Sequence, residues 1–181
     1  MDKVNKHFKE YGVYYLVILL AVIIGFFIYF NQHRPKDERI VVDRSMFVNI
    51  DVSRVNVGVD QKMDFILFLG KDECKPTYDT VPSVQLSMSQ YQYNVNYIDI
   101  EEIDYESEDY KKFLDNLDYE VTVEGKTGRL SDFMGATPMF IIFKEGKIVY
   151  ANVGSMNKEM VNKAYLESGV DDVTPTEENE S

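Results

Sequence analysis

The chain has 181 residues, a net charge of −12, one cysteine and two histidines. One cysteine excludes an intramolecular disulfide and a cysteine-rich zinc site, and the negative charge disfavours nucleic acid and anionic lipid as partners. His7 and His33 flank an apolar segment near the N terminus, so the remainder of the chain has no imidazole for a nucleophilic pair or a metal site.

The apolar segment is an uncharged run over positions 11–30 that ends in bulky residues. A helix of this length rises roughly 30 Å, the thickness of the hydrocarbon core of a bilayer. No small-residue cleavage pattern follows it, which favours an uncleaved anchor over a signal peptide. We predict a short N-terminal segment at 1–10, a transmembrane helix at 11–31 and a charged linker at 32–45, with a buried core helix as the alternative to the anchor.

The charges beside the run barely distinguish the two membrane orientations. Three basic residues precede it and three follow it: Lys3, Lys6, Lys9, Arg34, Lys36 and Arg39. The acidic domain beyond favours a cytoplasmic N terminus and an extracytoplasmic domain. The corresponding prediction is a single-pass protein of the plasma membrane.

Residues 46–169 combine strand and helix patterns, and an acidic tail at 170–181 is predicted to be disordered. Apolar residues alternate irregularly over Met46–Val59, which predicts a first strand, and Met63–Leu69 is a nearly continuous apolar run typical of a central strand. The further predictions are a helix over Tyr78–Tyr91 kinked at Pro82, a strand over Asn94–Ile100, a helix over Ser107–Leu117 capped by Ser107, a hairpin or loop over Tyr119–Arg129, two strands around Glu145-Gly146, and a helix from about Met156 to Glu167. This order predicts an α/β domain whose mixed sheet has helices on both faces.

Two motifs far apart in this domain resemble those of the thioredoxin family. The first is Cys74-Lys75-Pro76-Thr77, and the second is the Thr137-Pro138 step that opens an apolar strand. Further matches to the family's spacing are Pro82, eight residues after Cys74, Tyr97-Ile98-Asp99, Phe143-Lys144-Glu145-Gly146 and Val153-Gly154. The resemblance covers roughly Met46 to Glu167. It implies a thioredoxin-like fold in which a cis Pro138 faces the helix start that carries Cys74, although a cis-proline can also be retained for fold geometry alone.

The departures from the family pattern fall on the residues that carry its chemistry. Thr77 stands in the place of the second cysteine, Glu73 in that of the tryptophan and Phe68 in that of the buried aspartate. The connection from Asp99 to Pro138 is also longer than in thioredoxin. In layout the chain resembles membrane-anchored bacteriocin transport accessory proteins.

A lone thiol limits the chemistry that this site can perform. The start of a helix favours the thiolate of Cys74, and Lys75 acts in the same direction, whereas Asp72 and Glu73 oppose it. We therefore predict a thiol pKa that is lowered less than in dithiol relatives. Such a thiol can form a mixed disulfide with a client but cannot release itself, because Thr77 has no redox chemistry.

Two hypotheses of function follow, and both predict no cofactor. In the first, Cys74 performs monothiol exchange on exported proteins, which Thr137 and Pro138 bind by presenting strand-like backbone. In the second, the chain is a redox-inactive adaptor for a membrane secretion component or an envelope partner, and Cys74 merely packs. A peroxiredoxin activity is disfavoured because the family's threonine precedes its cysteine, whereas Thr77 follows Cys74.

Other candidate features have ordinary structural explanations. The acidic run Asp99–Asp109 lacks the spacing of a calcium loop, so no metal site is predicted there. Tyr91, Tyr93 and Tyr97 could line a protein-binding surface or could simply pack. The client and the oligomeric state stay open.

Overall fold

The computed structural model describes residues 40–170 and, nearer the N terminus, residues 14, 16–26 and 29. The chain divides into two units, Met1–Glu38 and Arg39–Ser181, and residues 16–26 of the first unit are helical. Within the described residues, no helix is both long and apolar enough to cross a bilayer. The predictions for the N-terminal segment 1–10, the first part of the linker and the tail after residue 170 lie outside the described residues, and the predicted transmembrane helix 11–31 lies partly outside them.

Residues 40–170 form a mixed α/β domain. Its elements are β1 (Val48–Asn49), α1 (Val52–Asp60), β2 (Phe65–Gly70), α2 (Lys75–Tyr91), β3 (Asn96–Asp99), α3 (Glu108–Asn116), β4 (Glu120–Val123), β5 (Lys126–Arg129), β6 (Met139–Lys144), β7 (Lys147–Val153) and α4 (Lys158–Ser168), with short 3-10 helices at Ile100–Glu102 and Leu130–Phe133. The main sheet has the order β1-β3-β2-β6-β7, and β4 and β5 form a separate hairpin. Strands β1, β3 and β2 run parallel, whereas β6 and β7 are antiparallel to their neighbours. This is the thioredoxin-like arrangement that the sequence resemblance implied.

The central strands are buried on both faces, as their apolar runs predicted. In β2, Ile66 and Phe68 point into the core on one side of the sheet, and Phe65, Leu67 and Leu69 point into the core on the other. This two-residue alternation is the geometry of a strand. Residues of α2 and α4 join the first core, and residues of α1 and α3 join the second, so helices cover both faces.

The predicted strand over Met46–Val59 is wrong in most of its length. Only Val48–Asn49 is a strand, and Val52–Asp60 is the helix α1. The Asp51 carboxylate caps this helix by accepting a hydrogen bond from the Arg54 N–H, at 3.0 Å. Val52 and Val55 are buried at helical spacing, and tertiary packing here outweighs the strand preference of β-branched residues.

The remaining element predictions agree with the structure, with shifts at their ends. Helix α2 begins at Lys75 rather than Tyr78, because a proline at the second helical position loses no intrahelical hydrogen bond. Ser107 caps α3 as predicted, and the Tyr119–Arg129 segment is a hairpin.

The chain immediately before β1 packs against the domain, although the linker was predicted to extend to residue 45. Val42 is buried in the core that contains Phe68. The Val42 N–H donates to the Asp72 carboxylate at 2.9 Å, and the Glu73 N–H donates to the Ile40 carbonyl at 2.8 Å. Val170 is also buried, at the start of the segment predicted as a tail.

Candidate functional site

Cys74 lies where the chain passes from β2 into α2. It is the N-cap residue of α2, with extended backbone, and its side chain makes no capping hydrogen bond. Pro76 occupies the second position of the helix and has no N–H, so it leaves fewer unpaired donors in the first turn. The thiol is partly exposed. The predicted position at a helix N-terminus is therefore confirmed.

Thr137 lies directly beside Cys74, although 63 positions separate the two residues in sequence. Strands β2 and β6 are antiparallel neighbours, with Leu69 opposite Met139, so the loop after β2 meets the loop before β6. The Thr137 hydroxyl donates to the Cys74 sulfur at 3.2 Å, and the thiol donates to the Thr137 carbonyl oxygen at 3.6 Å. The Thr137–Pro138 peptide bond is cis, as the resemblance implied.

The pKa of the Cys74 thiol is lowered from its ordinary value of 9.0. The largest single influence, burial, raises this pKa because a desolvated thiolate is unfavourable. The hydrogen bond from Thr137, the nearby hydroxyl and backbone N–H of Thr77, and the positive charge of Lys71 act against burial and together outweigh it.

The charged residues around the thiol differ in part from the prediction. Lys75 was expected to favour the thiolate, but its ammonium group pairs with the Asp79 carboxylate at 2.7 Å. Lys71 is the cation that acts on the sulfur. The sequence analysis overlooked Lys71, and it assigned Thr137 only a backbone role, whereas the Thr137 hydroxyl contacts the sulfur. A search for basic residues on both sides of Cys74 would have found Lys71.

Thr77 and the core residues beneath the loop form the floor of the site. Thr77 is fully buried, and its hydroxyl makes no hydrogen bond of good geometry within the described part of the chain, although it lies close enough to the Cys74 sulfur to help lower the pKa of the thiol. A side chain at Gly70 would meet the methyl group of Thr77 at 2.6 Å and the phenol oxygen of Tyr97 at 2.9 Å. Phe68, in the place of the family's buried aspartate, stacks on Phe47 in the core and offers no acid or base.

Arg44 supports the loop that leads to Cys74. Its guanidinium lies 2.6 Å from the Asp99 carboxylate, 3.2 Å from that of Asp72, and over the ring of Tyr97 at 5.0 Å from the centroid. Asp72 is two residues before Cys74, so this ion-pair network fixes the loop to the end of β3. The negative charge of Asp72 is paired here and opposes the thiolate less than the sequence suggested.

The tyrosines of the α2–β3 region pack rather than form a surface. Tyr93 and Tyr97 are buried, and Tyr91 packs against the same core. Burial raises the pKa of Tyr93 to about 12 and that of Tyr97 as well, so both phenols remain neutral. The interpretation as a protein-binding surface is therefore not supported.

No second centre of chemistry stands out in residues 40–170. A cavity of about 300 Å³ lies at the carboxyl ends of β1 and β3, between Ile50, Ile98, Ile103 and several carboxylates. Across the residues described, no group of three or more histidine, cysteine or acidic side chains could hold a metal ion. The chemistry that the geometry supports is that of an activated single thiol.

Comparisons with known proteins add distant likenesses in fold. No family model matches the sequence, and no protein of curated function does. One similar solved structure is that of yeast mitochondrial 1-Cys peroxiredoxin, reported for its thiol resolving mechanism via glutathione/thioredoxin systems. It has 16% identity and a TM-score of 0.42, and the match covers 70% of this chain and 94% of that chain. Thioredoxin O2 from Arabidopsis thaliana in the oxidized state also has 16% identity and a TM-score of 0.42, with 72% of this chain and 100% of that chain covered. At this distance the fold assignment rests on the strand order and the position of Cys74.

Proposed function

We propose that this chain is a membrane-tethered, extracytoplasmic thioredoxin-like protein that acts through Cys74 by thiol–disulfide exchange on exported client proteins. The main support for this proposal is the position of Cys74, a partly exposed residue at the N-terminus of α2 whose sulfur accepts a hydrogen bond from the Thr137 hydroxyl. A hydroxyl donor at 3.2 Å and a lowered thiol pKa both favour the thiolate, which is the form that attacks a disulfide. The tether is proposed from the uncharged apolar run at 11–30, which predicts the transmembrane helix at 11–31.

The reaction can be written without a second thiol in this chain. The Cys74 thiolate attacks one sulfur of a client disulfide, a mixed disulfide forms, and the other client sulfur leaves as a thiolate. A thiolate of the client then attacks the client-side sulfur of the mixed disulfide. A new client disulfide forms, Cys74 leaves as a thiolate, and the client is isomerised without net oxidation.

Capture of the mixed disulfide tests this proposal. Intact cells that produce the full-length chain are alkylated, and adducts are resolved without reductant. We expect adducts that reductant removes and that Cys74→Ser abolishes. Thr77→Cys should also deplete them, because the introduced thiol can attack the Cys74 sulfur and release the client. If Cys74→Ser leaves both the recovered partners and the cell phenotype unchanged, exchange is refuted and the adaptor hypothesis is favoured.

The proposed location has a separate test, because Cys74 is the only thiol. A membrane-impermeant maleimide added to intact cells should label the full-length chain without lysis. The Cys74→Ser chain, which has no thiol, should stay unlabelled in the same cells. Labelling that requires lysis would place the domain on the inner side of the membrane.

A further inference from the structure

The cavity at the carboxyl ends of β1 and β3 lies at the same edge of the sheet as Cys74. Strands β1, β3 and β2 run parallel, so the loops that follow them meet at one edge. Asp99, which lines the cavity, is opposite Gly70 in the neighbouring strand, and Cys74 follows Gly70 by four positions. Neighbouring strands are about 4.8 Å apart. The cavity therefore begins one strand away from the loop that carries the thiol, at the edge where open α/β sheets commonly bind ligands.

The lining of this cavity is apolar at its base. Val52 and Ile98 are buried, and Ile50 and Ile103 are partly buried. The volume of about 300 Å³ is at the lower end of the range for ligand pockets. An ordinary acidic surface offers no such space, because its carboxylates stand in open water. This cavity can therefore take up the apolar part of a ligand together with its charge.

The charged residues of the lining are all acidic. Five carboxylates line the cavity: Asp51, Asp99, Glu102, Asp104 and Asp109. Arg44 pairs with Asp99 at 2.6 Å, and Arg54 is close enough to Asp51 to help lower the pKa of that carboxyl. The other three carboxylates have no ion-pair partner within the described residues, and no lysine or arginine of those residues lines the cavity. The cavity thus has an excess of negative charge for a cation to neutralise.

The shape of the site favours a long cation with an apolar stem over a metal ion. Within the part of the chain that the structure describes, these carboxylates form no group that could hold a metal. A lysine or arginine side chain buries its stem along apolar surface while its charged end stays near water or a carboxylate. Such a side chain fits the apolar base and the separated carboxylates together. A second copy of this chain is disfavoured as its source, because each copy has a net charge of −12.

We propose that the cavity is a client-recognition pocket that binds an arginine or lysine side chain close to the client cysteine. The inference deepens the proposed function and rests on it, since it makes basic, disulfide-bearing polypeptides the clients of Cys74. A cation held in the pocket keeps the client disulfide beside the thiol and raises its effective concentration there. The separation of one or two strands and a short loop, roughly 10–20 Å, corresponds to about three to six residues of extended client chain.

A binding experiment without the thiol tests the pocket by itself. The full-length Cys74→Ser chain in detergent is titrated with two fluorescent, cysteine-free peptides that differ only in a pair of arginines or glutamines. We expect the arginine peptide to bind about tenfold more tightly at low ionic strength, with a preference that shrinks as salt screens the charges. Glu102→Gln combined with Asp109→Asn in the same chain should weaken binding of the arginine peptide about fivefold.

The matched control removes two carboxylates that are adjacent in sequence to those two but do not line the cavity. Glu101→Gln combined with Glu108→Gln changes the net charge by the same amount and should weaken binding by less than about twofold. Equal losses in the two double variants would mean that the acidic surface in general, and not the cavity, attracts the peptide, which would overturn the inference. An absent preference for arginine, or saturable Ca²⁺ binding at these carboxylates in place of peptide binding, would overturn it as well.

The exchange step is tested separately with model clients. The same two peptides carry one cysteine, about four residues from the varied pair, as a mixed disulfide with thionitrobenzoate. The Cys74 thiolate attacks the peptide sulfur, a disulfide joins Cys74 to the peptide, and thionitrobenzoate leaves as a coloured thiolate. We expect about fivefold faster release from the arginine peptide. Preferential binding with no release refutes the proposed function and leaves a docking pocket, whereas release at equal rates from both peptides refutes the pocket and leaves the proposed function.

Discussion

At Cys74, burial and hydrogen bonding act on the thiol in opposite directions. Burial raises the pKa, whereas the hydroxyl of Thr137, the first turn of α2 and Lys71 lower it further than burial raises it. The net lowering means that the folded chain binds the thiol proton less tightly than the unfolded chain. Folding stability is therefore linked to pH through this one residue.

The sign of that linkage gives a first prediction. Because the pKa of Cys74 is lower in the folded chain than in the unfolded chain, the thiolate stabilises the fold. This contribution is fully present above the unfolded-state pKa near 9.0, and it is lost as the pH falls through the folded-state pKa. The difference in free energy of unfolding between the unaltered chain and Cys74→Ser should thus grow in favour of cysteine as the pH rises to about 9. Urea unfolding in reducing buffer at several pH values measures it, and a difference that is flat or shrinks with pH would contradict the assignment.

Arg44 leads to a second prediction at the residue scale. Arg44→Met leaves the mostly buried Asp99 carboxylate without its 2.6 Å partner. The carboxylate would keep only the hydrogen bond from the Glu101 N–H, and the loss of an ion-pair partner at a mostly buried charge is costly, so we expect a loss of about 2 kcal/mol in the free energy of unfolding. The matched control is Arg129→Met, because Arg129 forms an exposed pair with Asp118 and should lose less than about 0.5 kcal/mol. Equal losses in the two variants would refute the supporting role of Arg44.

Among the elements, α1 is held in place by a polar contact as well as by its apolar face. The buried Asn56 donates from its amide nitrogen to the Asp109 carbonyl at 2.9 Å and accepts from the Asn116 amide at 2.9 Å. Both partners belong to α3, so one side chain joins the two helices on that face of the sheet. This contact spans more than 50 positions in sequence, and local patterns do not reveal it.

Substitution of Asn56 tests this junction. Asn56→Ala removes both hydrogen bonds from a buried position, for which we expect a loss of about 2 kcal/mol in the free energy of unfolding. Asn116→Ala should cost less, because Asn116 is partly exposed. In a double-mutant cycle by urea unfolding, the two substitutions should couple. Strict additivity would show that the 2.9 Å contact contributes nothing.

On the scale of the whole molecule, the domain extends further towards the N terminus than the apolar pattern predicted. Ile40 and Val42 bond to the loop before Cys74, and Val42 fills part of the core. Residues 40–42, which were predicted to belong to the linker, are therefore part of the framework that holds the site. Its first described residues belong to the unit that begins at Arg39.

Two shortened chains test this boundary. A chain that begins at Arg39 should unfold cooperatively. Iodoacetamide should alkylate its Cys74 with the same pH midpoint as in the full-length protein. A chain that begins at Met46 loses the burial of Val42, two backbone contacts and the ion pairs of Arg44 with Asp72 and Asp99, and should be less stable by about 5 kcal/mol. Calorimetry and alkylation of both chains provide the measurement. Equal stability would mean that residues 39–45 act only as a tether.

Several features of this protein could be predicted from local sequence alone. Apolar runs marked β2, β6 and β7, Ser107 marked the start of α3, and the two motifs marked where the site would form. These predictions succeeded because burial on both faces of a strand and capping of a helix depend on residues next to one another in the chain. The single thiol, which limits the chemistry, is likewise a property of composition.

Only the tertiary structure decided the remaining features. Val52–Asp60 is a helix because its valines and Asn56 find partners on other elements, which outweigh their local strand preference. Lys71 rather than Lys75 acts on the thiol because Asp79 pairs with Lys75, and Thr137 contributes a hydroxyl because β2 and β6 are neighbours. Each outcome depends on contacts between elements, and the distances and directions of such contacts are set by the packing of the whole domain.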